Sequence, residues 1–276
     1  MDAKLQRRVQ RYGWDKAAAH YEKYWQRQLA PAQDRLLELA ELKPGDRVLD
    51  IACGTGLVTF PAARAVAPNG SVVATDISDA MVEHVKAEAG KRGLQNVTAE
   101  RMDAEELRFP DGSFDVVLCA LGLMYVPDPL ASLRETYRVL RSGGRAVVAV
   151  WGARNRCGWA EIFPIVESRI SSEVCPLFFQ LGTQDNLRLT MEQAGFRDVV
   201  VDRIATTLRY ESGEDACGAA FAGGPVALAY SRFDEPTRDE AHAEYLASIE
   251  SSRRGSGYEI PGEFVVALAH RKGADK

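Results

Sequence analysis

Several function classes are marked by residues that this chain has little of. Its five cysteines, Cys53, Cys119, Cys157, Cys175 and Cys217, are widely spaced and form no CxxC pair. That pattern points neither to a disulfide framework nor to a structural zinc site, and no metal is expected. Apolar runs are too short to span a bilayer, so no integral membrane segment is expected. The opening residues also lack the apolar core of a secretory signal. A reducing cytoplasm is the expected location. Basic residues are not in excess: 34 Lys and Arg stand against 39 Asp and Glu, a net charge of −5. Proteins that bind duplex nucleic acid usually carry a basic face, so no nucleic-acid partner is expected. One stretch departs from this balance. The first 30 residues hold Lys4, Arg7, Arg8, Arg11, Lys16, Lys23 and Arg27 against Asp2, Asp15 and Glu22. The preferred reading is the solvated face of a helix, ahead of attraction for an anionic substrate or membrane surface.

What is present is an ordinary globular composition, 46% hydrophobic and 26% charged over 276 residues. This is enough for one large domain with a substantial core. Residues 5–30 read as a helix with interleaved aromatics, and 31–42 continue it with leucines at helical spacing. After the "KPGD" break, strands and helices alternate. "RVLDIA", "SVVATDIS", "VTAERMDA", "FDVVLCAL" and "RAVVAVWG" read as strands. The segments between them read as helices, one capped by Ser78 or Asp79 and stopped at Gly93. The last of them, "PLASLRETYRVLRSGG", is expected to run to its glycines. "LRLTMEQAGFRDVVVDRI" reads as a helix, a stop at Gly195 and a strand, and "EFVVALAHRK" as a final strand. Apolar strands alternating with helices make a doubly wound parallel sheet covered on both faces. Ligands of such sheets sit beyond the carboxyl ends of the strands.

The stretch "VLDIACGTGLVTF", residues 48–60, is such an end. A Walker loop would need a Gly-Lys-Ser/Thr, and Gly56 is followed by Leu57 and Val58. A dinucleotide fingerprint would need a third glycine, and that position is Thr59. An acid at the strand end plus a GxG turn remains, with a second acid, Asp76, closing the next strand. An acid there is placed for a ribose diol. Asp50 suits a ligand with a positive end. A nucleoside with an ammonium or sulfonium group fits better than one with phosphates.

These segments, with "VVATDIS", "RMDAEELRFPDGSFDVVLCALGLMYVPDP" and "RVLRSGGRAVVAVW", resemble class I S-adenosylmethionine-dependent methyltransferases. The branch resembled contains the ubiquinone/menaquinone C-methyltransferases and many small-molecule methyltransferases. The resemblance is dense over about residues 30–152 and looser beyond. It implies a mostly parallel seven-stranded sheet of Rossmann-like type, S-adenosylmethionine as cofactor and a small-molecule acceptor. It divides the chain into an N-terminal helical lid, 1–30, and a methyltransferase domain, 31–276, with helical cap inserts at about 153–185 and 212–256. By position it sets Asp50 near the methionine amino group. Ala52, Cys53, Gly54 and Gly56 pass under the cofactor, with Ala52 where many members have glycine. Asp76 holds the ribose, Ile77 and Met81 flank adenine, and Asp103 and Ala104 lie at its amino edge. Cys119 and Ala120 stand beside the reactive methyl. Plainer readings sit beside these. Asp50 could cap a helix, Met81 could be helix core, Cys53 and Cys119 could be small buried residues, and Asp103 could open a turn.

Relatives often carry histidines just after the fourth strand, where this chain has Met124 and Tyr125. Of its histidines, His84 and His270 read as structural. The catalytic candidates are therefore Tyr125, which could orient an acceptor, and His20 in the aromatic N-terminal segment. Candidate acceptor contacts are Tyr12, Trp14, Tyr21, Trp25, Met124, Tyr125, Phe163 and Phe179, each of which could equally be packing. The implied reaction is methyl transfer to a small, apolar or aromatic metabolite on oxygen or carbon. Two alternatives stay open: a non-methylating enzyme of the same fold (cyclisation, decarboxylation, hydroxylation), and a catalytically silent binding partner. Monomer or homodimer also stays open.

Overall fold

The computed structural model describes residues 2–170 and 178–273. Cys175 and part of the 153–185 insert lie outside the described residues. The chain opens with one long helix, α1 (Ala3–Ala40), capped by the Asp2 side chain on the Lys4 N–H. It runs unbroken through residue 30 and carries Pro31 inside it. The sheet strands are β1 (Arg47–Ile51), β2 (Ser71–Asp76), β3 (Val97–Arg101), β4 (Phe114–Ala120), β5 (Leu140–Trp151), β6 (Arg197–Tyr210), the two-residue β7 (Arg253–Arg254) and β8 (Gly257–His270). Between them lie α2 (Thr59–Val66), α3 (Asp79–Lys91), α4 (Pro129–Val139), α5 (Ile162–Glu167), α6 (Asn186–Gln193), α7 (Gly213–Cys217), α8 (Ala227–Tyr230) and α9 (Glu235–Ser248).

The sheet order is β3-β2-β1-β4-β5-β8-β6, with β7 paired to β8 off that path. The first five strands of this order pair in parallel. β8 runs antiparallel between β5 and β6. The seven-stranded, mostly parallel sheet expected from the sequence is therefore present, with β7 a short addition. β1 and β4 are central and buried on both faces, which explains their continuous apolar runs.

Two expectations need correction. The helix read over 129–144 ends at Val139, and Leu140 is already extended and paired with Phe114. Leu140 is fully buried, so burying it against β4 outweighs another helical turn of polar and glycine residues. The final strand begins at Gly257, earlier than "EFVVALAHRK", because Pro261 and Gly262 do not break it. β5 ends at Trp151 opposite Phe264, so Pro261 has only β6 beside it and needs no N–H on the other edge.

α1 crosses the carboxyl edge of the sheet. Gln28 pairs with the backbone of Arg209, its Nε2 donating to the carbonyl at 2.6 Å and its Oε1 accepting from the N–H at 2.9 Å. Trp25 Nε1 donates to the Ala219 carbonyl at 3.2 Å, in a π-helical stretch after α7. These bonds tie the middle of α1 to β6 and to the 212–256 insert.

Candidate functional site

The turn after β1 is built by backbone geometry. Gly54 and Gly56 have φ of 54° and 90°, in the left-handed region that glycine reaches without steric cost. A Cβ on Gly56 would lie 2.6 Å from the Phe60 ring, which folds back beneath the turn. Ala52 takes φ 55° as a non-glycine residue, a local strain of order 1 kcal/mol. Across β4, a Cβ on Gly122 would lie 2.3 Å from Ala52 Cβ. The two positions are complementary: the methyl that Ala52 adds is accommodated by its absence at Gly122.

Asp76 closes β2 with its carboxylate buried. Oδ2 accepts from the Gly54 N–H and Oδ1 from the Ser78 N–H, each at 2.9 Å. Both oxygens keep a lone pair for a ligand. Burial raises the Asp76 pKa to about 6, against the lowering effect of those backbone donors. Asp50 is buried behind the turn. Oδ2 accepts from Thr59 Oγ1 at 2.6 Å, while Oδ1 has no hydrogen-bond partner. Burial lifts its pKa to about 7, partly offset by the Thr59 bond and reinforced by the charge of Asp76.

A pocket opens at this edge. Ile51, Ala52 and Gly54 line it from the first turn, Asp76, Ile77 and Met81 from the second, and Met102, Asp103 and Ala104 from the third. Ala120, Leu121, Gly122 and Tyr125 close it after β4, and Arg7, Gln10, Trp14 and Tyr21 cover it from α1. The pocket thus gathers Ala52, Gly54, Asp76, Ile77, Met81, Asp103, Ala104, Ala120, Trp14, Tyr21 and Tyr125 of the residues singled out by sequence. Asp50, Cys53, Gly56 and Cys119 lie in the shell behind it. Burial raises the thiol pKa of Cys53 and Cys119, to about 12 for Cys119, so neither is a thiolate.

α1 is latched over this pocket. Arg7 pairs with Asp103 at 2.7 Å and with Glu105 at 2.8 Å, and Arg11 pairs with Asp79. Asp15 Oδ1 accepts from Ser78 Oγ at 2.6 Å and from the Ala80 N–H at 3.1 Å.

A second, smaller chamber adjoins the first and shares Trp14, Tyr21, Leu121 and Tyr125 with it. Its other walls are Trp25, Leu29, Met124, Trp151, Trp159, Gly224 and Pro225. The chain has four tryptophans, and all of them line this chamber. Three of them meet edge to face, with Trp151 and Trp159 centroids 4.9 Å apart and Trp25 6.0 Å from Trp151, while Trp14 meets Tyr125 edge to face at 5.1 Å. Phe163 and Phe179 pack behind Trp159, at 5.8 Å and 5.6 Å, and line neither cavity. Tyr12 is exposed, beside a groove that shares Arg7, Ile77, Met102 and Asp103 with the first pocket and adds Arg8, Arg11, Arg101 and Arg108. His20 is exposed. His84 faces Glu22, His242 bonds the Tyr230 hydroxyl and His270 ends β8, so no histidine lines either cavity. Sequence reasoning passed over Trp151 and Trp159. Trp151 reads as the end of an apolar strand, and Trp159 lies in an irregular insert with no periodicity to orient it.

Comparisons with known proteins agree with this geometry. Residues 48–144 match the model of a methyltransferase domain family. The chain is 37% identical over 132 residues to aklanonic acid methyltransferase DauC of Streptomyces sp. (strain C5), covering 48% of this chain and 60% of that protein. That match spans less than two thirds of the relative's length. Ubiquinone/menaquinone biosynthesis C-methyltransferase UbiE of Ectopseudomonas mendocina (strain ymp) is 34% identical over 202 residues, covering 70% of this chain and 74% of that protein. The [4+2]-cyclase SpnF shares the fold at 21% identity, with a TM-score of 0.59 over 88% of this chain and 81% of that chain. The chain belongs to the class I S-adenosylmethionine-dependent methyltransferases, in the ubiquinone/menaquinone C-methyltransferase branch.

Proposed function

We propose that this chain transfers a methyl group from S-adenosylmethionine to a small apolar or aromatic metabolite. The adjacency of the two cavities carries the reading. A pocket with carboxylates at its far end meets an apolar chamber at Trp14, Tyr21, Leu121 and Tyr125. The residues fit the cofactor: Asp50 Oδ1 is a buried acceptor lacking a partner, and Asp76 keeps free lone pairs on both oxygens. Asp76 would hold the ribose diol, Ile77 and Met81 the adenine faces, and Asp103 its amino edge. When bound, S-adenosylmethionine supplies an electrophilic methyl on a sulfonium.

The chain's own contribution is positioning and water exclusion. Holding donor and acceptor at near-attack distance can supply much of the acceleration of such a displacement. α1 covers the junction, and Tyr125 would orient the acceptor beside it. Burial holds the Tyr21 pKa well above its ordinary value, so its hydroxyl stays protonated and serves as a hydrogen-bonding wall, not a base. With no histidine at either cavity, an acceptor that arrives nucleophilic fits best, as an electron-rich ring carbon or an oxygen that ionises near neutral pH. Methylation at carbon and at oxygen both meet that condition.

The test is incubation with a metabolite extract and isotope-labelled S-adenosylmethionine, beside calorimetry with S-adenosylhomocysteine. Labelled product is expected. The Asp76→Ala variant should bind S-adenosylhomocysteine about 100-fold more weakly, the loss of two hydrogen bonds to a charged acceptor. Binding unchanged in that variant would sink the assignment of Asp76, and binding with no labelled product would sink methyl transfer.

A further inference from the structure

Five arginines meet in the groove outside the first pocket. Arg7, Arg8 and Arg11 line it from α1, Arg101 from the end of β3 and Arg108 from the loop that follows. Among the described residues Asp103 is the one acid of the lining, and Arg7 already holds it. The carboxylates nearby are stretched thin. Asp79 is shared between Arg11 and Arg101, the latter at 3.1 Å. Glu100 lies 3.7 Å from Arg108, too far for a hydrogen bond, and Arg108 donates instead to the Arg101 carbonyl at 2.9 Å. The Arg8 side chain has no partner among the described residues. Gathering like charge costs free energy, and this chain, at a net charge of −5, has no general excess of cations to scatter. A ligand of opposite charge would offset that cost.

We propose that this groove is a further ligand site, which takes a phosphate group and thereby bridges α1 to the end of β3. The proposal does not depend on methyl transfer. Three observations specify the ligand. Guanidinium presents a planar fork of donors that matches the oxygens of a phosphate two at a time. The forks stand on two walls, so an oxyanion with oxygens on several sides can bond both walls at once, which a flat carboxylate does less well. Between the walls lie Ile77 and Met102, apolar side chains that leave the field of the arginines unscreened and focus it on the ligand. Arg8 and Arg108 are the donors most open to it, one on each wall, because neither has a carboxylate within hydrogen-bond distance. The consequence falls on α1. Without an anion, cations face each other across the groove and push α1 away from β3. A phosphate between them turns that repulsion into attraction from both sides. The groove shares Arg7 and Asp103 with the first pocket, so the bridge would hold α1 down at the edge where it covers that pocket.

The test titrates the full chain with inorganic pyrophosphate by calorimetry and, in parallel, sediments it with phosphatidylglycerol vesicles, with phosphatidylcholine vesicles as the comparison of zero net charge. Saturable binding to a phosphate-bearing probe is expected, weakening as salt rises. Arg8→Gln/Arg108→Gln removes one cation from each wall. Both side chains are exposed, and Arg8 has no partner to lose, so the fold should hold. This variant should bind at least about tenfold more weakly, the loss of charge-assisted hydrogen bonds. Lys91→Gln removes an exposed charge at the end of α3 and should leave affinity within about twofold. Amide exchange in α1 before Trp25 reads the bridge directly. It should slow up to about tenfold in the native chain at a probe concentration ten times Kd, because the lifted helix loses the ligand, and it should not slow in the double variant. Saturation by pyrophosphate without vesicle binding identifies a soluble phosphate ester as the occupant, and vesicle binding without a response to pyrophosphate identifies a lipid headgroup. Binding of neither probe, a double variant that binds like the native chain, an equal loss in Lys91→Gln, or α1 exchange unchanged at saturation would each overturn the proposal.

Discussion

The sheet-edge pocket takes its lining from turns that follow β1, β2, β3 and β4 in order, whereas the tryptophan chamber takes its walls from α1, the end of β5, Trp159 and the Gly224-Pro225 turn. In the first, backbone N–H groups and short acids do the work. Gly54 and Ser78 donate to Asp76, and the Glu105 N–H donates to Asp103 Oδ1 at 2.9 Å. In the second, large side chains meet across long sequence separations, and there is little backbone chemistry. A nucleoside's polar edges need fixed donors and acceptors, which a parallel sheet presents at its carboxyl ends. An apolar ring needs only shape and area, which any set of segments can supply. One fold can therefore keep its first site and vary its second, which is why the fold alone does not name the reaction.

The sharpest way to break this contrast is at the floor of the first pocket, where packing is tightest. Gly122→Ala would place a Cβ 2.3 Å from Ala52 Cβ and 3.3 Å from Cys119 Sγ. Overpacking of this kind costs about 1–3 kcal/mol, and the variant should unfold at lower denaturant by that amount. Adding Ala52→Gly removes the clashing methyl and relieves φ 55°, so the double variant should recover more than half of the loss. Additive losses in the two variants would show that the pair is not coupled.

The same contrast explains what was legible in the sequence. Asp76, Gly54 and Asp103 follow apolar strands, so their place at one sheet edge is implied by the alternation of elements. Gly122 faces Ala52 only because β1 and β4 are neighbours, a pairing that no local pattern contains. The aromatics of α1 stand out as a cluster, but which of them face inward depends on partners more than 100 residues away: Trp25 points inward beside Trp151 and Trp159, whereas Tyr12 faces solvent. Strand-end glycines also mislead. "RSGG" after α4 reads as a helix stop, yet Leu140 has already joined the sheet.

Protonation offers a second lever, and it acts on the first pocket alone. Asp50 and Asp76 have folded pKa values of about 7 and about 6, raised by burial from an ordinary 3.8. A raised carboxyl pKa means that the folded chain favours the protonated form. The stability this contributes is full below about pH 4 and is lost as pH rises through 6 and 7. Without ligand, the melting temperature should therefore fall between about pH 4 and 7, and Asp50→Asn should flatten that slope. Ligand binding has the opposite sign, because a cationic or hydroxyl-rich ligand prefers the carboxylate anion. Affinity for S-adenosylhomocysteine should drop up to about tenfold per pH unit below 7, the slope of one linked proton. An affinity that stays flat from pH 5 to 8 would show that neither carboxylate is titrated against the ligand.

The smallest expected effect lies where the regions meet, at the latch of α1. Arg7 reaches Asp103 and Glu105, and its side chain is 32% exposed. Pairs this accessible are worth about 0.2–1 kcal/mol and weaken with salt. Arg7→Ala should therefore change global stability by less than about 1 kcal/mol. Its effect on exchange depends on what α1 does. If the segment before Trp25 lifts to admit the cofactor, each opening breaks the Arg7 pairs, and S-adenosylhomocysteine should leave the variant several-fold faster with little change in its rate of entry. Raising salt on the native chain should reproduce the variant, since it screens the same pairs. If α1 stays docked and the pocket fills from elsewhere, neither treatment alters the dissociation rate. Stopped-flow tryptophan fluorescence follows that rate through Trp14, which lines both cavities, and so separates a lid from a fixed wall.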